Sequence, residues 1–277
     1  MHYQLFRWFP KSAFSRLMGA LASHAWPAPL LRLVIAIYTR FYRIDMGYFE
    51  VPPEGFSTFN AFFTRPLKAG ARPIDADPGR LVSPVDGTVS AIGAISKGRL
   101  IQAKGMDYGL GELLAGAAEP AAYEGGSYVT IYLSPRDYHR IHSPCAASVT
   151  GFAYVPGELW TVSPSGMRSV PGLFARNERL LTVLSSGWGE VLLIAVGAMV
   201  VGKIKVVYDG VESNIKGGTP DSGKPAKPCP LDKGAELGRF ELGSTVIILF
   251  PPDAVVLNPM QPGENLMLGQ PIGTIKD

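Results

Sequence analysis

The chain has 277 residues, enough to bury one sizeable core, and its 47% hydrophobic and 18% charged residues exclude a disordered protein. A net charge of +3 is too small to indicate nucleic-acid binding, and we predict no nucleic-acid partner. Two cysteines, Cys145 and Cys229, are too few for a disulfide scaffold, so we expect a reduced intracellular protein. We identify no signal peptide and no run of the ~20 apolar residues that cross a bilayer.

The N-terminal segment is basic and amphipathic. Apolar residues recur at helical spacing over 11–23, and a second helix is predicted over 30–43. Six basic residues and no acidic residue precede Asp45. Packing on the protein's own core would explain the apolar residues, but the lack of acids favours a monotopic anchor on an anionic membrane surface. We therefore divide the chain into membrane-associating helices over 1–55 and a second domain over 56–277.

From residue 56 the pattern changes to short strands. A short helix is predicted to begin at Ser57 or Thr58 and another over 108–116, while β-branched runs alternate with Gly, Pro and Asp turns elsewhere. The predicted fold class is α+β and predominantly β, an antiparallel barrel or sandwich preceded by the N-terminal helices. The segment 215–234 is rich in Gly, Pro and Lys, and we predict a long mobile or functional loop.

Two of the four histidines stand close together in the sequence. His139 and His142 are three residues apart and would face the same way on a helix, with Cys145 three residues further on. Imidazole and thiolate both suit zinc, but no further Cys or His lies nearby, and we predict no metal. The alternative is that both histidines make structural hydrogen bonds.

Asp86 and Ser244 are the other residues that could take part in chemistry. Asp86 lies in SPVDGTV (83–89), where Asp-Gly between apolar residues indicates a hairpin turn, although its carboxylate could also orient a histidine. FELGSTVIILF (240–250) predicts a buried strand that Gly243 and Ser244 interrupt. A serine hydroxyl becomes nucleophilic when a base takes its proton, and His142 could be that base.

The carbonyl nearest to the Ser244 hydroxyl is that of Gly243. Attack on it would be intramolecular, and effective molarities for such reactions reach ~10⁵–10⁸ M. An ester followed by elimination would break the chain and leave a pyruvoyl group in place of Ser244.

Five blocks resemble phosphatidylserine decarboxylase of the bacterial membrane type, and they occur in the family's order. The resemblance covers roughly residues 57–275, and the basic N-terminal helices resemble the family's membrane-associated segment. The blocks are FNAFFTRPLKAGARPI (59–74), SPVDGTV (83–89), YLSPRDYHRIHSPC (132–145), LFARNERL (173–180) and LGRFELGSTVIILF (237–250).

The resemblance implies a self-cleaving proenzyme with the triad Asp86, His142 and Ser244. Cleavage between Gly243 and Ser244 would give a β chain (1–243) and an α chain (244–277) that stay associated, in a homodimer of processed units. Ser244 would become the pyruvoyl cofactor and form a Schiff base with phosphatidylserine, which loses carbon dioxide to give phosphatidylethanolamine. His139 is implied to protonate the product. The implied location is the cytoplasmic face of a bacterial cell membrane, with 56–277 as the catalytic domain.

Three other functions stay open at this point. The same pyruvoyl chemistry could act on a soluble amino acid, although the basic N-terminus argues against it. A non-enzymatic, membrane-associated lipid-binding or lipoyl-like carrier module is the alternative from another class, because SPVDGTV and GQPIGTI are turn–strand units typical of lipoyl-type sandwiches. A zinc hydrolase is the third.

Overall fold

The computed structural model describes residues 10–103, 106–199, 203–214, 219–241 and 244–276. Within them the protein is predominantly β, with every pair of named strands antiparallel, and the predicted fold class is confirmed. The sheets are layered as in a sandwich, and none of them closes into a barrel within these ranges. The helices are α1 Lys11–Ser23, α2 Ala28–Tyr42, α3 Phe59–Phe63, α4 Leu110–Leu114, α5 Pro164–Met167 and α6 Leu173–Arg176.

The strands are numbered in chain order through the same ranges. They are β1 Arg80–Val82, β2 Gly87–Ala94, β3 Arg99–Ala103, β4 Met106–Gly109, β5 Ser127–Leu133, β6 Arg140–His142, β7 Ala147–Val155, β8 Arg179–Ser186, β9 Gly189–Val196, β10 Lys203–Val206, β11 Asp221–Gly223, β12 Cys229–Leu231, β13 Glu236–Glu241, β14 Ser244–Phe250, β15 Val255–Leu257, β16 Asn265–Leu266 and β17 Pro271–Ile275.

A nine-stranded sheet forms the centre of the fold, in the order β11-β7-β8-β9-β14-β5-β2-β16, with β12 also paired to β7. Strand β14 lies between β5 and β9, and all seven of its residues are buried. Alternate side chains of β14 point into two different hydrophobic cores. Val246 and Ile248 belong to the first core, and Ile247 and Leu249 belong to the second. The two three-stranded sheets β1-β17-β15 and β10-β13-β6 contribute to the first core. Helices α4, α5 and α6 and the β3–β4 hairpin contribute to the second.

The two N-terminal helices pack beside the short helix α3. The ring of Tyr38 contacts Phe59, Phe62 and Phe63, and its hydroxyl donates to the Pro135 carbonyl at 3.2 Å. Helix α2 begins at Ala28 rather than at residue 30, because a proline is compatible with the first helical turn. Within the described ranges no single helix is long and apolar enough to cross a membrane; α1 and α2 meet that test only together, with a 119° bend between them.

Two local predictions are wrong, the hairpin turn at Asp86 and the single loop over 215–234, and the helix considered for the two histidines is not formed. Asp86 is not in a hairpin turn, because β1 pairs with β17 whereas β2 pairs with β5 and β16. His139 and His142 are not on a helix, because the second closes strand β6 and the first lies just before it. The segment 215–234 is not one long loop: β11 and β12 within it both pair with β7, while 215–218 lie outside the described residues.

Candidate active site

Ser244 is the first residue of the central strand β14. Backbone pairing places it opposite Leu133 of β5, and it places the next residue, Thr245, opposite Val196 of β9. The Ser244 side chain is fully buried, and its Oγ has no hydrogen-bond partner in the part of the chain that the structure describes. A buried hydroxyl without a partner is costly. Thr130 and Thr245 share this feature within the described residues, but of the three only Ser244 also lines a cavity. Gly243, the other half of the predicted cleavage site, lies outside the described residues.

Ser244 is one of the residues that line a cavity of about 530 Å³. The cavity is lined by helices α1, α2 and α3, by the end of β5 with the turn after it, by the start of β14, and by two loops at 161–163 and 198–199. Most of the lining is apolar or aromatic, as suits the apolar part of an amphiphile. The lining residues are Met18, Leu21, Ala22, Trp26, Leu31, Val34, Tyr38, Tyr42, Phe59, Phe63, Tyr132, Leu133, Pro135, Thr161, Val162, Ser163, Ala198, Met199 and Ser244.

His139 lies next to this cavity. Its ring packs on Phe63, a lining residue, with the ring centroids 4.1 Å apart, and its backbone carbonyl accepts from Phe240 at the end of β13. Its Nδ1 donates to the Asp137 carbonyl at 2.7 Å, so the neutral ring carries its lone pair on Nε2. This Nε2 is buried and has no partner among the described residues. His139 thus offers a ring nitrogen with an unused lone pair.

Burial lowers the pKa of His139 to about 3, and the positive charge of Arg65 acts in the same direction, against the hydrogen bond to the Asp137 carbonyl. The imidazole is therefore neutral at physiological pH, and its free nitrogen binds a proton only weakly in this structure. Arg65 is itself buried, with its guanidinium lying on the rings of Phe49 and Phe62. Burial lowers the pKa of Arg65 to about 10, which still leaves the group charged at neutral pH.

His142 differs from His139 in having both ring nitrogens bonded. Nδ1 donates to the Gly234 carbonyl at 2.7 Å, and Nε2 accepts from the Tyr138 hydroxyl at 3.1 Å. Burial lowers the pKa of His142, so this ring is also neutral at physiological pH. Along the β6–β13 pair, His142 is opposite Glu236, whereas His139 bonds to Phe240, which is closer in sequence to Ser244.

Asp86 is bound to two other parts of the chain. Its carboxylate accepts a bidentate hydrogen bond from Arg72, at 3.0 Å from Nε and 2.7 Å from Nη2, and a third from the backbone N–H of Leu268 at 2.8 Å. Within the described ranges no hydrogen bond joins Asp86 to His142 or His142 to Ser244. Catalytic hydrogen bonds often form only in the reacting complex, so the triad stays a prediction.

The sequence did not single out several residues of this site. Tyr38 and Tyr132 line the cavity, and Arg72 and Tyr138 bond the predicted catalytic groups. Tyr138 was visible as a neighbour of both histidines in DYHRIHSP, but the contacts of Arg72 and Leu268 with Asp86 span 14 and 182 residues and leave no local pattern. No group of three or more His, Cys, Asp or Glu in the described residues is arranged to hold a metal ion.

The pKa of His139 predicts a loss of stability in acid. The unfolded histidine, with a pKa near 6.5, binds a proton below that pH, whereas the folded one does not until about pH 3. Stability should therefore fall as the pH drops from 6.5 towards 3, by about 1.4 kcal/mol per pH unit from this residue alone.

We would measure urea unfolding at pH 7.5 and 5.0 for Ser244→Ala and Ser244→Ala/His139→Gln. The double variant should lose about 2 kcal/mol less over this interval; equal losses would contradict the buried neutral histidine.

An apolar cavity, a buried serine hydroxyl without a partner among the described residues and a neutral histidine nearby together fit an enzyme that acts on an amphiphilic substrate. The family model for phosphatidylserine decarboxylase matches residues 59–274. A phosphatidylserine decarboxylase proenzyme of Anaeromyxobacter sp. (strain K) is 46% identical over 271 residues, covering 96% of this chain and 95% of that one. Proteins of the same name from Brevibacillus brevis (44%; 96% and 95% covered) and Myxococcus xanthus (43%; 98% and 97% covered) are also similar. The chain belongs to the phosphatidylserine decarboxylase family.

Proposed function

We propose that this chain is a self-processing decarboxylase that converts phosphatidylserine to phosphatidylethanolamine and carbon dioxide. The observation that carries the proposal is Ser244, which lines an apolar cavity and whose buried hydroxyl has no partner among the described residues. Membership of a family whose relatives are named proenzymes supports processing of the chain. The direct test is the conversion of phosphatidylserine in detergent micelles by the purified protein, with phosphatidylethanolamine measured by mass spectrometry and free serine as the competing substrate.

Processing would begin when Ser244 Oγ attacks the carbonyl carbon of Gly243. The hydroxyl proton moves to a base, the peptide C–N bond breaks, and the acyl group is transferred to oxygen as an ester. Loss of the Cα proton of residue 244 then expels the ester oxygen with the β chain, which ends in a carboxylate at Gly243. Water replaces the nitrogen that remains at residue 244, and ammonia leaves. The products are a β chain of 1–243 and an α chain of 244–277 that begins with a pyruvoyl group.

The surroundings of Ser244 fit a pyruvoyl group. The serine hydroxyl makes no hydrogen bond within the described residues, so the departure of its oxygen with the β-chain carboxylate strands no partner there. Once formed, the pyruvoyl ketone supplies an electron sink for the electrons that carbon dioxide leaves behind. Strand β14 holds the reacting carbon in place between β5 and β9.

We assign the proton transfers at residue 244 to His139, because its Nε2 is free and its ring packs on a cavity residue. The same nitrogen would take the Ser244 proton during processing and deliver one to the product carbon during decarboxylation. His142 would support the site by linking Tyr138 to the Gly234 carbonyl. Asp86 would hold Leu268 of the α chain against Arg72 of the β chain.

The α chain would remain bound after cleavage. Its strand β14 has partners on both sides in the central sheet, β16 pairs with β2, and β17 lies between β1 and β15. These pairings survive the loss of one peptide bond, so two chains behave as one folded unit. A homodimer of such units stays a prediction.

The outer face of α2 is the surface we propose for the membrane. Leu33, Ile37 and Phe41 lie on this face and are 56%, 60% and 76% exposed. Arg40 and Arg43 are exposed at the end of the same helix and could contact anionic headgroups. We therefore propose a peripheral location on the cytoplasmic face of a bacterial membrane, with residues 1–55 as the membrane-associating part and 56–277 as the catalytic part.

Ile37→Ser should weaken binding to anionic vesicles about tenfold, because an isoleucine side chain transferred into lipid contributes roughly 1.5–3 kcal/mol. Vesicle co-sedimentation measures the effect. Val256→Ser is the matched control: it is similarly exposed, at 56%, but lies on β15. Equal binding of the two variants would contradict docking through α2.

A further inference from the structure

Asn177 makes hydrogen bonds to two separate segments of the cavity wall. The residue follows α6 and is fully buried. Its Oδ1 accepts from the Trp160 N–H at 2.9 Å, and its Nδ2 donates to the Trp160 carbonyl at 2.9 Å and to the Gly197 carbonyl at 2.8 Å. Both amide hydrogens are used, so one side chain links two stretches of backbone 37 residues apart (197 minus 160).

The two linked segments lead directly into the lining of the cavity. Thr161, Val162 and Ser163 follow Trp160, and Ala198 and Met199 follow Gly197. Gly197 also comes immediately after Val196, the β9 residue paired with Thr245. Asn177 does not line the cavity itself. Its bonds nevertheless fix both walls relative to the strand that carries Ser244.

We propose that Asn177 is a positioning residue that holds the 160–163 and 197–199 segments together and so keeps the cavity in the shape that binds the lipid substrate. The inference rests on the proposed function, because it assigns this cavity to phosphatidylserine. Without the three bonds, the packing of Trp160 and Val162 in the second core still holds the 160–163 loop, but the loop is no longer tied to the 197–199 segment through Asn177. If the binding shape is then populated only a tenth of the time, the apparent affinity falls about tenfold.

The test compares Asn177→Ser with Glu178→Gln. Glu178 is the next residue and is also buried, but its carboxylate bonds to the Asn214 N–H and the Tyr154 hydroxyl, neither of which lines this cavity. We would measure the thermal midpoint, the extent of self-cleavage by mass, and kcat and KM on phosphatidylserine in mixed micelles. Asn177→Ser should cleave, raise KM about tenfold and change kcat less than threefold. Glu178→Gln should keep the wild-type KM even if its thermal midpoint falls as far as that of Asn177→Ser.

An unchanged KM in Asn177→Ser, or an equal KM increase in both variants, would overturn the inference while leaving the proposed function intact. A wild-type protein without activity on phosphatidylserine would instead defeat the proposed function. If Asn177→Ser does not fold, hydrogen exchange of the wild-type protein decides. The Trp160 amide, bonded to Asn177, should exchange at least about 100-fold more slowly than an unprotected amide, and a rate near the unprotected one would overturn the inference.

Discussion

Ser244→Ala is expected to yield a single intact chain of 277 residues without decarboxylase activity. Alanine lacks the hydroxyl oxygen that attacks Gly243, so neither the ester nor the pyruvoyl group can form. Decarboxylation should fall to the uncatalysed level, and enzymes accelerate reactions by about 10⁶-fold or more. The fold should persist, because Ser244 Oγ makes no hydrogen bond to any described residue. Denaturing gel electrophoresis, circular dichroism and a phosphatidylethanolamine assay measure the three quantities.

Thr245→Val is the matched control for this variant. Thr245 is the next residue of β14, is equally buried and has a hydroxyl without a partner among the described residues. Its side chain points to the opposite face of the strand, and it does not line the cavity. Thr245→Val should therefore cleave and decarboxylate normally. A Ser244→Ala protein that still splits at this site would refute the proposed nucleophile, and an uncleaved Thr245→Val would show that the strand simply tolerates no change.

The second large effect is expected at His139. His139→Gln removes the free Nε2 base, and general acid–base groups typically contribute 10²–10⁴-fold, so self-cleavage should slow by about that factor. The factor by which His142→Gln slows cleavage should be at least ten times smaller than the factor for His139→Gln. The reason is that both ring nitrogens of His142 already bond to Tyr138 and Gly234. Quenched samples from a time course of synthesis, analysed by mass, give both rates.

Decarboxylation provides an independent readout on the small cleaved fraction of each variant. His139→Gln should lower kcat per pyruvoyl group. His142→Gln should leave this kcat nearly unchanged and mainly lower the stability of the folded protein. The opposite order, with His142→Gln blocking cleavage and His139→Gln cleaving normally, would contradict our assignment. It would support the triad of Asp86, His142 and Ser244 that the family resemblance implies.

The sequence predicted well those features that depend on neighbouring residues. Helix α1 was predicted with the observed bounds, and α3 begins where Thr58 caps it by accepting from the Ala61 N–H at 3.0 Å. The β-branched run after Ser244 forms the expected buried strand. In each case the pattern is local, since side-chain periodicity and capping act over a few residues.

Contacts between distant segments could not be predicted in the same way. Asp-Gly suggested a hairpin at Asp86, but the flanking strands pair with β17, β5 and β16, which are far away in the sequence. The two histidines look equivalent in DYHRIHSP, yet Tyr138 and Gly234 occupy only the ring of His142. Such differences arise from tertiary hydrogen bonds, and neither propensity nor spacing encodes them.

The N-terminal helices show a related effect. Their apolar spacing predicted helices correctly, but it did not show which apolar side chains the protein itself covers. Leu31 is buried against the domain, whereas Leu33 and Ile37 of the same helix are exposed. A helix that is apolar on more than one side can pack on the protein core with one side and contact lipid with another. Only the packing shows which side does which.

The most direct test of self-processing is the intact mass of freshly purified wild-type protein under denaturing conditions. We predict two species, residues 1–243 and residues 244–277, with the smaller one lighter than a peptide that begins with serine by the difference between serine and a pyruvoyl end. A folded sample that contains only the full-length chain, and that converts phosphatidylserine nonetheless, would contradict a catalytic group made from Ser244.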